Sequence, residues 1–212
     1  MMKALTTLLV ANRGEIAVRI MRTAKTMGMR TVAVYSEADA DAMHVREADQ
    51  SICIGPAPVA ESYLQINAIL DAADRTGADC IHPGYGFLSE NQAFASACEA
   101  RGIEFIGPPN AAIEVMGDKA RAKRAMIDAS VPCVPGYQGN DQSNATLIAE
   151  ANKIGMPVMV KAAAGGGGRG MRLVHDASDL ESAIELAQSE AQNAFGSSEL
   201  IIEKAVVRPR HV

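Results

Sequence analysis

The sequence lacks the features of several large classes of protein. Its formal net charge is −5 and its pI is about 5.4, so the clustered positive charge that nucleic-acid binding requires is missing. Its longest apolar stretches, such as Leu8 to Ala11, are far shorter than the roughly 20 residues of a membrane helix. The polar segment after the first of these stretches favours a strand over a signal peptide. These absences predict a cytoplasmic protein with no nucleic-acid or membrane partner.

Common signatures of metals and nucleotides are also missing. The four cysteines include no C-x-x-C pair, which argues against a zinc site and a disulfide framework and favours reduced thiols in the core. The turn "NRGE" has one glycine where a dinucleotide fingerprint has three, so nicotinamide and flavin cofactors are not supported. G-x-x-x-x-G-K-[ST], the Walker A pattern, does not occur.

The first half of the sequence alternates short apolar strands with amphipathic helices. Predicted strands are "LTTLLVA", "RTVAVYS", "QSICIG", "ADCIH" and "IEFIG", and predicted helices are "GEIAVRIMRTAKTMG", "SYLQINAILDAADRTG" and "NQAFASACEARG". Such alternation indicates a parallel sheet that is covered on both faces. The fold class is therefore α/β, with a doubly wound domain up to about Pro109.

A second, smaller unit follows. Two helices, over 110–117 and "DKARAKRAMIDAS", lead to "PCVPGYQGNDQSN", which is typical of a linker because it is rich in Pro, Gly and Asn. The rest predicts helix, strand, glycine loop, strand, long helix and strand. This order indicates a compact α+β module.

The stretch "VMVKAAAGGGGRGM" carries the strongest chemical signal. Glycines let successive backbone N–H groups approach an anion, and here Lys161 precedes them and Arg169 follows them. A strand on each side makes the segment a hairpin, which predicts a lid that closes over a phosphate chain. The alternative is a flexible surface hairpin.

Three further segments are candidates. Lys119 stands at a helix start, Glu203 and Lys204 end an apolar strand, and "HPGYGFLSEN" follows a predicted strand, where ligands of open α/β sheets gather. The alternatives are a surface lysine, a solvated ion pair, and a turn with Ser89 or Asn91 as a helix cap.

Taken together, five segments resemble biotin carboxylases, which are ATP-grasp ligases. They are "LLVANRGEIAVRI", "HPGYGFLSEN", "MGDKARAK", "VKAAAGGGGRGM" and "EKAVVRPRHV", and they cover nearly the whole chain in the same order as in the family. The resemblance implies a Rossmann-like pre-ATP-grasp domain over 1–117, a connecting helix and linker over 118–136, and a lid subdomain over 137–206. Residues 207–212 would begin a large C-terminal catalytic domain that is absent.

The resemblance also implies the site residues. The ATP-binding residues would be Lys119, Lys161, Gly167, Gly168, Glu203, Lys204, Ala205, Val206 and His211, and the lid loop would include Gly165, Gly166, Arg169, Gly170 and Met171. Ala205 and Val206 stand where the family commonly has an aromatic residue and a bulky apolar residue. No catalytic residue and no metal ligand is expected within these 212 residues, because the family has them further downstream.

The implied reaction is the ATP-dependent carboxylation of biotin with bicarbonate through carboxyphosphate. Its cofactors and partners would be ATP, Mg²⁺, carrier-bound biotin on a carboxyl carrier protein or domain, and the carboxyltransferase of an acyl-CoA carboxylase. The full-length parent would be a homodimer, and the present chain an inactive N-terminal part. Another ATP-grasp ligase, such as a carbamoyl phosphate synthetase, and a non-catalytic nucleotide-binding module are the alternatives.

Overall fold

The computed structural model describes residues 4–164 and 171–210, which divide into two compact units at Ile113/Glu114. The helices are α1 Gly14–Thr26, α2 Met43–Glu47, α3 Ile66–Thr76, α4 Gln92–Ala100, α5 Asn110–Met116, α6 Lys119–Asp128, α7 Asn144–Ile154 and α8 Leu180–Phe195. The strands are β1 Thr7–Val10, β2 Arg30–Ser36, β3 Gln50–Gly55, β4 Cys80–His82, β5 Glu104–Phe105, β6 Gly136–Tyr137, β7 Val158–Ala162, β8 Met171–Val174 and β9 Leu200–Lys204.

The first unit is built on a parallel sheet with the strand order β3-β2-β1-β4-β5. Successive side chains of a strand point to opposite faces, and both faces are buried here. Leu9 and Val32 pack with residues of α3 and α4, whereas Leu8 and Val10 pack with residues of α1. The predicted doubly wound α/β sheet is therefore confirmed.

One helix of this unit is shorter than the sequence predicts. The pattern "SYLQINAILDAADRTG" predicts a helix from Ser62, but α3 begins at Ile66. The Tyr63 ring is fully buried, and its hydroxyl donates to Asp39 Oδ2 at 2.7 Å and accepts from the Ser36 N–H at 3.1 Å. These long-range contacts hold the first residues of the pattern outside the helix. Its end is as predicted, because Gly77 has a left-handed φ of 66°.

The second unit has a four-stranded antiparallel sheet with the strand order β6-β9-β7-β8. Its main core lies on one face, where Val158 and Val160 of β7 and Ile202 of β9 pack with α7 and α8. Ile201 of β9, whose side chain points to the opposite face, packs with Ala120 of α6. The predicted small α+β unit is therefore confirmed.

The segment predicted to be a linker contains part of this sheet. Gly136 pairs with Glu203 and Tyr137 with Ile202, and the Tyr137 ring packs against the main core. The composition of the segment, rich in Pro, Gly and Asn, indicates turns correctly but gives no sign of a strand this short. Pairing with β9 decides it.

Candidate functional site

The second unit contains a cleft with an apolar wall and a charged end. Its volume is about 350 Å³. The apolar wall consists of Met116, Ala122, Met126, Val134 and Ile201, beside Cys133. The charged side chains are Lys119, Lys123, Lys161 and Glu203. An apolar slot beside several ammonium groups is suited to a ligand that has a flat ring at one end and anionic groups at the other.

Lys119 reaches this cleft from the first position of α6. The Asp118 side chain caps the helix by accepting from the Arg121 N–H at 2.9 Å, and the Lys119 N–H donates to the Ala163 carbonyl at 3.1 Å. The second bond ties the helix start to the residue that follows β7. Burial and the positive charge of Lys161 lower the pKa of Lys119, with Asp118 opposing them. Two lysines that repel each other in this way favour an anionic ligand between them.

Lys161 and Glu203 share one face of the sheet for a simple reason. On β7, Val158 and Val160 point into the main core, so Lys161 points away from it. On β9, Ile202 points into that core, so Glu203 also points away from it. The Lys161 Nζ lies 2.5 Å from Glu203 Oε2.

A third charged residue, Lys123, completes the group. Its Nζ lies 2.8 Å from Glu203 Oε1, and its side chain is 8% exposed. Burial alone would raise the pKa of Glu203, but hydrogen bonds from Lys123 and Lys161 and their positive charges outweigh burial and lower it. The carboxylate is therefore ionised at neutral pH and held by two cations. Sequence reasoning missed Lys123, although its spacing of four residues from Lys119 places both on one helix face.

The remaining residues of the predicted hinge are engaged by the backbone around them. The Lys204 Nζ donates to the carbonyls of Gly155 at 2.9 Å and Met156 at 2.7 Å. Ala205 is buried and its N–H donates to the Pro157 carbonyl at 3.0 Å, whereas Val206 is exposed. The structure thus groups Glu203 with the cleft lysines and turns the Lys204 ammonium group toward the end of α7.

Part of the predicted site lies outside the described residues. Gly165, Gly166, Gly167, Gly168, Arg169, Gly170 and His211 belong to this part. Met171, the last residue of the predicted lid loop, is the first residue of β8 and pairs with Lys161. The pairing of β7 and β8 is antiparallel, as the predicted hairpin requires.

The segment "HPGYGFLSEN" lies at the carboxyl end of β4 in the first unit. Asn12, which follows β1, is buried, and its Nδ2 donates to the carbonyls of Pro83 at 2.8 Å and Tyr85 at 3.0 Å. Asn91 caps α4 by accepting from the Phe94 N–H at 2.9 Å, which selects it over Ser89. The two sequence motifs that follow β1 and β4 are therefore joined at the carboxyl ends of these neighbouring strands.

A larger cavity, of about 500 Å³, lies in the first unit and differs in character. Leu5, Leu8, Ile20, Ala24, Met29 and Ile106 line most of it. Its polar lining includes His82, whose pKa is lowered by burial. Among the described residues that line it, Arg19 is the one that is charged at neutral pH, whereas the cleft of the second unit has three lysines and a glutamate. The smaller cleft is therefore the better candidate site.

Within residues 4–164 and 171–210, no group of three or more His, Cys, Asp or Glu side chains is arranged to hold a metal ion. In the same part of the chain, no helix is both long and apolar enough to cross a membrane.

Cys80 and Cys98 are buried, as predicted, and burial raises the pKa of Cys98 to about 11. Cys53, in contrast, is exposed.

Comparison with known proteins identifies the family. Residues 4–113, more than half of the chain, match the family described as biotin carboxylase, N-terminal domain. The chain belongs to the biotin carboxylase family. Residues 118–212 match the ATP-binding domain of the carbamoyl-phosphate synthase L chain. The family resemblance carried by the five sequence segments is confirmed.

The biotin carboxylase relatives are longer than this chain. The mitochondrial methylcrotonoyl-CoA carboxylase subunit alpha of Dictyostelium discoideum is 57% identical over 210 residues, which are 99% of this chain and 30% of the relative. A biotin carboxylase–beta-gamma-ATP complex from Campylobacter jejuni superposes with a TM-score of 0.93 and 51% identity, over 98% of this chain and 46% of the other. This chain therefore spans less than half the length of these two relatives.

A third relative was solved with several ligands. It is the biotin carboxylase domain dimer of the Hydrogenobacter thermophilus 2-oxoglutarate carboxylase, in complex with MgADP, ADP and bicarbonate. Its TM-score is 0.89 at 47% identity, and the match covers 97% of this chain and 45% of that chain. Adenine nucleotide is thus a ligand of two relatives that share the fold of this chain.

Proposed function

We propose that the cleft of the second unit binds ATP, and that the chain supplies this nucleotide site to a biotin carboxylase. The observation that carries the proposal is the joining of an apolar wall to three lysines and a single carboxylate among the described lining residues. The wall offers contact area for adenine, and the ammonium groups offer charge for phosphates.

Lys119 and Lys161 would contact the phosphates, because both line the cleft and lie close enough for their charges to interact. Fixed cations stabilise the charge that develops on a phosphoryl group as it is transferred. Glu203, Ala205 and Val206 would form the hinge beside the base, together with Lys204. The loop over 165–170, with Gly167 and Gly168 above the terminal phosphates, would act as the lid, and His211 would add a further nucleotide contact.

We infer the reaction from the family: MgATP would phosphorylate bicarbonate to carboxyphosphate, which then carboxylates biotin on a carrier protein or domain. The ligands of the Hydrogenobacter thermophilus structure, MgADP and bicarbonate, support this assignment. Mg²⁺, which accompanies ADP in that relative, would be held here in part by the nucleotide phosphates.

The parent protein would be a homodimer that works with a carboxyltransferase in an acyl-CoA carboxylase, in keeping with the relatives named above. Within this chain, residues 1–117 would be the pre-ATP-grasp domain, 118–136 the connection and 137–206 the lid subdomain. A carbamoyl-phosphate synthetase activity is the second candidate, since residues 118–212 match the ATP-binding domain of such an enzyme. The match of residues 4–113 favours biotin as the acceptor.

Isothermal titration of MgATP into the purified chain tests the nucleotide site. Loss of one charge-assisted hydrogen bond costs about 1.5–3 kcal/mol, so we expect Lys161→Ala to weaken binding by roughly 10- to 100-fold. Lys153→Ala is the matched control, because Lys153 forms an exposed ion pair on α7 with Glu150. Absence of binding by the wild-type chain, or equal binding by wild type and Lys161→Ala, would contradict the proposal.

A further inference from the structure

Lys123 lines the cleft, but the proposed nucleotide site assigns it no contact with the nucleotide. Glu203 accepts a hydrogen bond from Lys123 Nζ on Oε1, at 2.8 Å, and another from Lys161 Nζ on Oε2, at 2.5 Å. The two lysines are not equivalent. The side chain of Lys123 is 8% exposed, whereas that of Lys161 is 24% exposed. One cation is sealed against the carboxylate and the other remains accessible from the cleft.

The backbone around Lys123 is shaped to keep it in place. A Cβ on Gly136 would lie 2.7 Å from the Lys123 Nζ and 2.3 Å from the Ile202 carbonyl oxygen. The glycine at position 136 therefore leaves room for the Lys123 ammonium group and for the Ile202 carbonyl. The neighbouring Arg124 donates to the Gln138 carbonyl at 2.6 Å, which joins α6 to the residue after β6.

Lys161 has two partners to serve. In the structure its ammonium group is paired with Glu203, and the proposed nucleotide site also assigns it to a phosphate. A carboxylate buried as deeply as Glu203, with its side chain 16% exposed, is costly to leave without a cation. Movement of Lys161 to a phosphate would incur that cost unless a second cation remained on Glu203.

We propose that Lys123 is a positioning residue: it neutralises Glu203 permanently and so frees Lys161 to pair with the phosphates of the nucleotide. The inference rests on the proposed nucleotide site. Lys123 itself does not contact the phosphates; it sets the strength with which Glu203 retains Lys161. Without it, Glu203 and the phosphates compete for the ammonium group of Lys161.

The test compares ATP with adenosine, which lacks the phosphates, by competition against a fluorescent ATP analogue. The quantity measured is the ratio of the adenosine to the MgATP dissociation constant, in which losses of base contacts cancel. We expect Lys123→Met to lower this ratio at least tenfold. We expect Lys123→Met combined with Glu203→Gln to restore it to within about threefold of wild type, since the competing carboxylate is gone.

A structural role alone would weaken both ligands equally and leave the ratio unchanged, as would the control Lys153→Met on α7. An unchanged ratio in Lys123→Met, or no recovery in the double variant, overturns the inference and leaves the nucleotide site standing. Glu203→Gln alone keeps the inference testable if Lys123→Met does not fold: it must keep or raise the ratio, and a fall overturns the inference. Failure of the wild-type chain to bind either ligand overturns the proposed function as well.

Discussion

Substitution of Asn12 tests what holds together the two loops at the carboxyl ends of β1 and β4. Its side chain is 1% exposed and bonds to both motifs: Nδ2 donates to the Pro83 and Tyr85 carbonyls, and Oδ1 accepts from the Arg13 N–H. Asn12→Ala removes these partners. A net loss of about 1 kcal/mol per hydrogen bond, with a further penalty for a buried carbonyl left unsatisfied, predicts a loss of roughly 2–4 kcal/mol.

Asn12→Asp distinguishes hydrogen bonding from packing, because it conserves shape. At pH 7 its carboxylate would face two carbonyl oxygens without a proton to donate, so we expect a loss at least as large as for Asn12→Ala. Burial without a cation raises the folded pKa of such a carboxyl above its unfolded value of about 3.9. Stability relative to wild type is therefore recovered as the pH falls from 7 toward 4, where the protonated group donates one bond.

Native-state hydrogen exchange of β1 and β4 amides, followed by mass spectrometry, reports the free energy of opening of this unit alone. Asn67→Ala, at an exposed position of α3, is the control and should change it by less than about 0.5 kcal/mol. The reasoning is refuted if Asn12→Asp is as stable as wild type at pH 7, or if its loss of stability does not change with pH. In either case the Asn12 hydrogen bonds do not hold the two loops together.

Two further predictions concern stability. Ile184→Ala removes a fully buried side chain of α8, so it should lower the free energy of unfolding of the second unit by about 2–5 kcal/mol in urea titrations. The control Leu186→Ala, at a position that is 53% exposed, should change this free energy by less than about 0.5 kcal/mol. Similar losses for the two variants would refute the packing argument. Burial alone would raise the pKa of Asp79, but hydrogen bonds from Thr6 and Thr7 lower it, so its contribution is present above about pH 4 and is lost as the pH falls through the folded pKa. Asp79→Asn should therefore be about 1 kcal/mol less stable than wild type at pH 6, with a gap that closes in acid; a gap independent of pH would contradict this.

Local sequence patterns predicted most helices and strands because their signals are local. The alternation of apolar strands and helices required a covered parallel sheet, and Gly77 marked the end of α3. The start of α3 and the strand β6 were missed. In both cases a partner distant in sequence decides the outcome: Asp39 for the Tyr63 hydroxyl, and β9 for Gly136.

The sequence by itself determined the family, through five ordered segments, and predicted the chemical character of the candidate site, through Lys161 beside the glycines. Strand periodicity also fixed which residues of β7 share a face with Lys161. Only the tertiary structure decided that this face meets Glu203 of β9 and that Lys123 of α6 is sealed against the same carboxylate. The physical reason is that these ion pairs depend on strand register and on the space left at Gly136. Lys161 and Lys123 are 42 and 80 positions from Glu203, so no local sequence pattern predicts either contact.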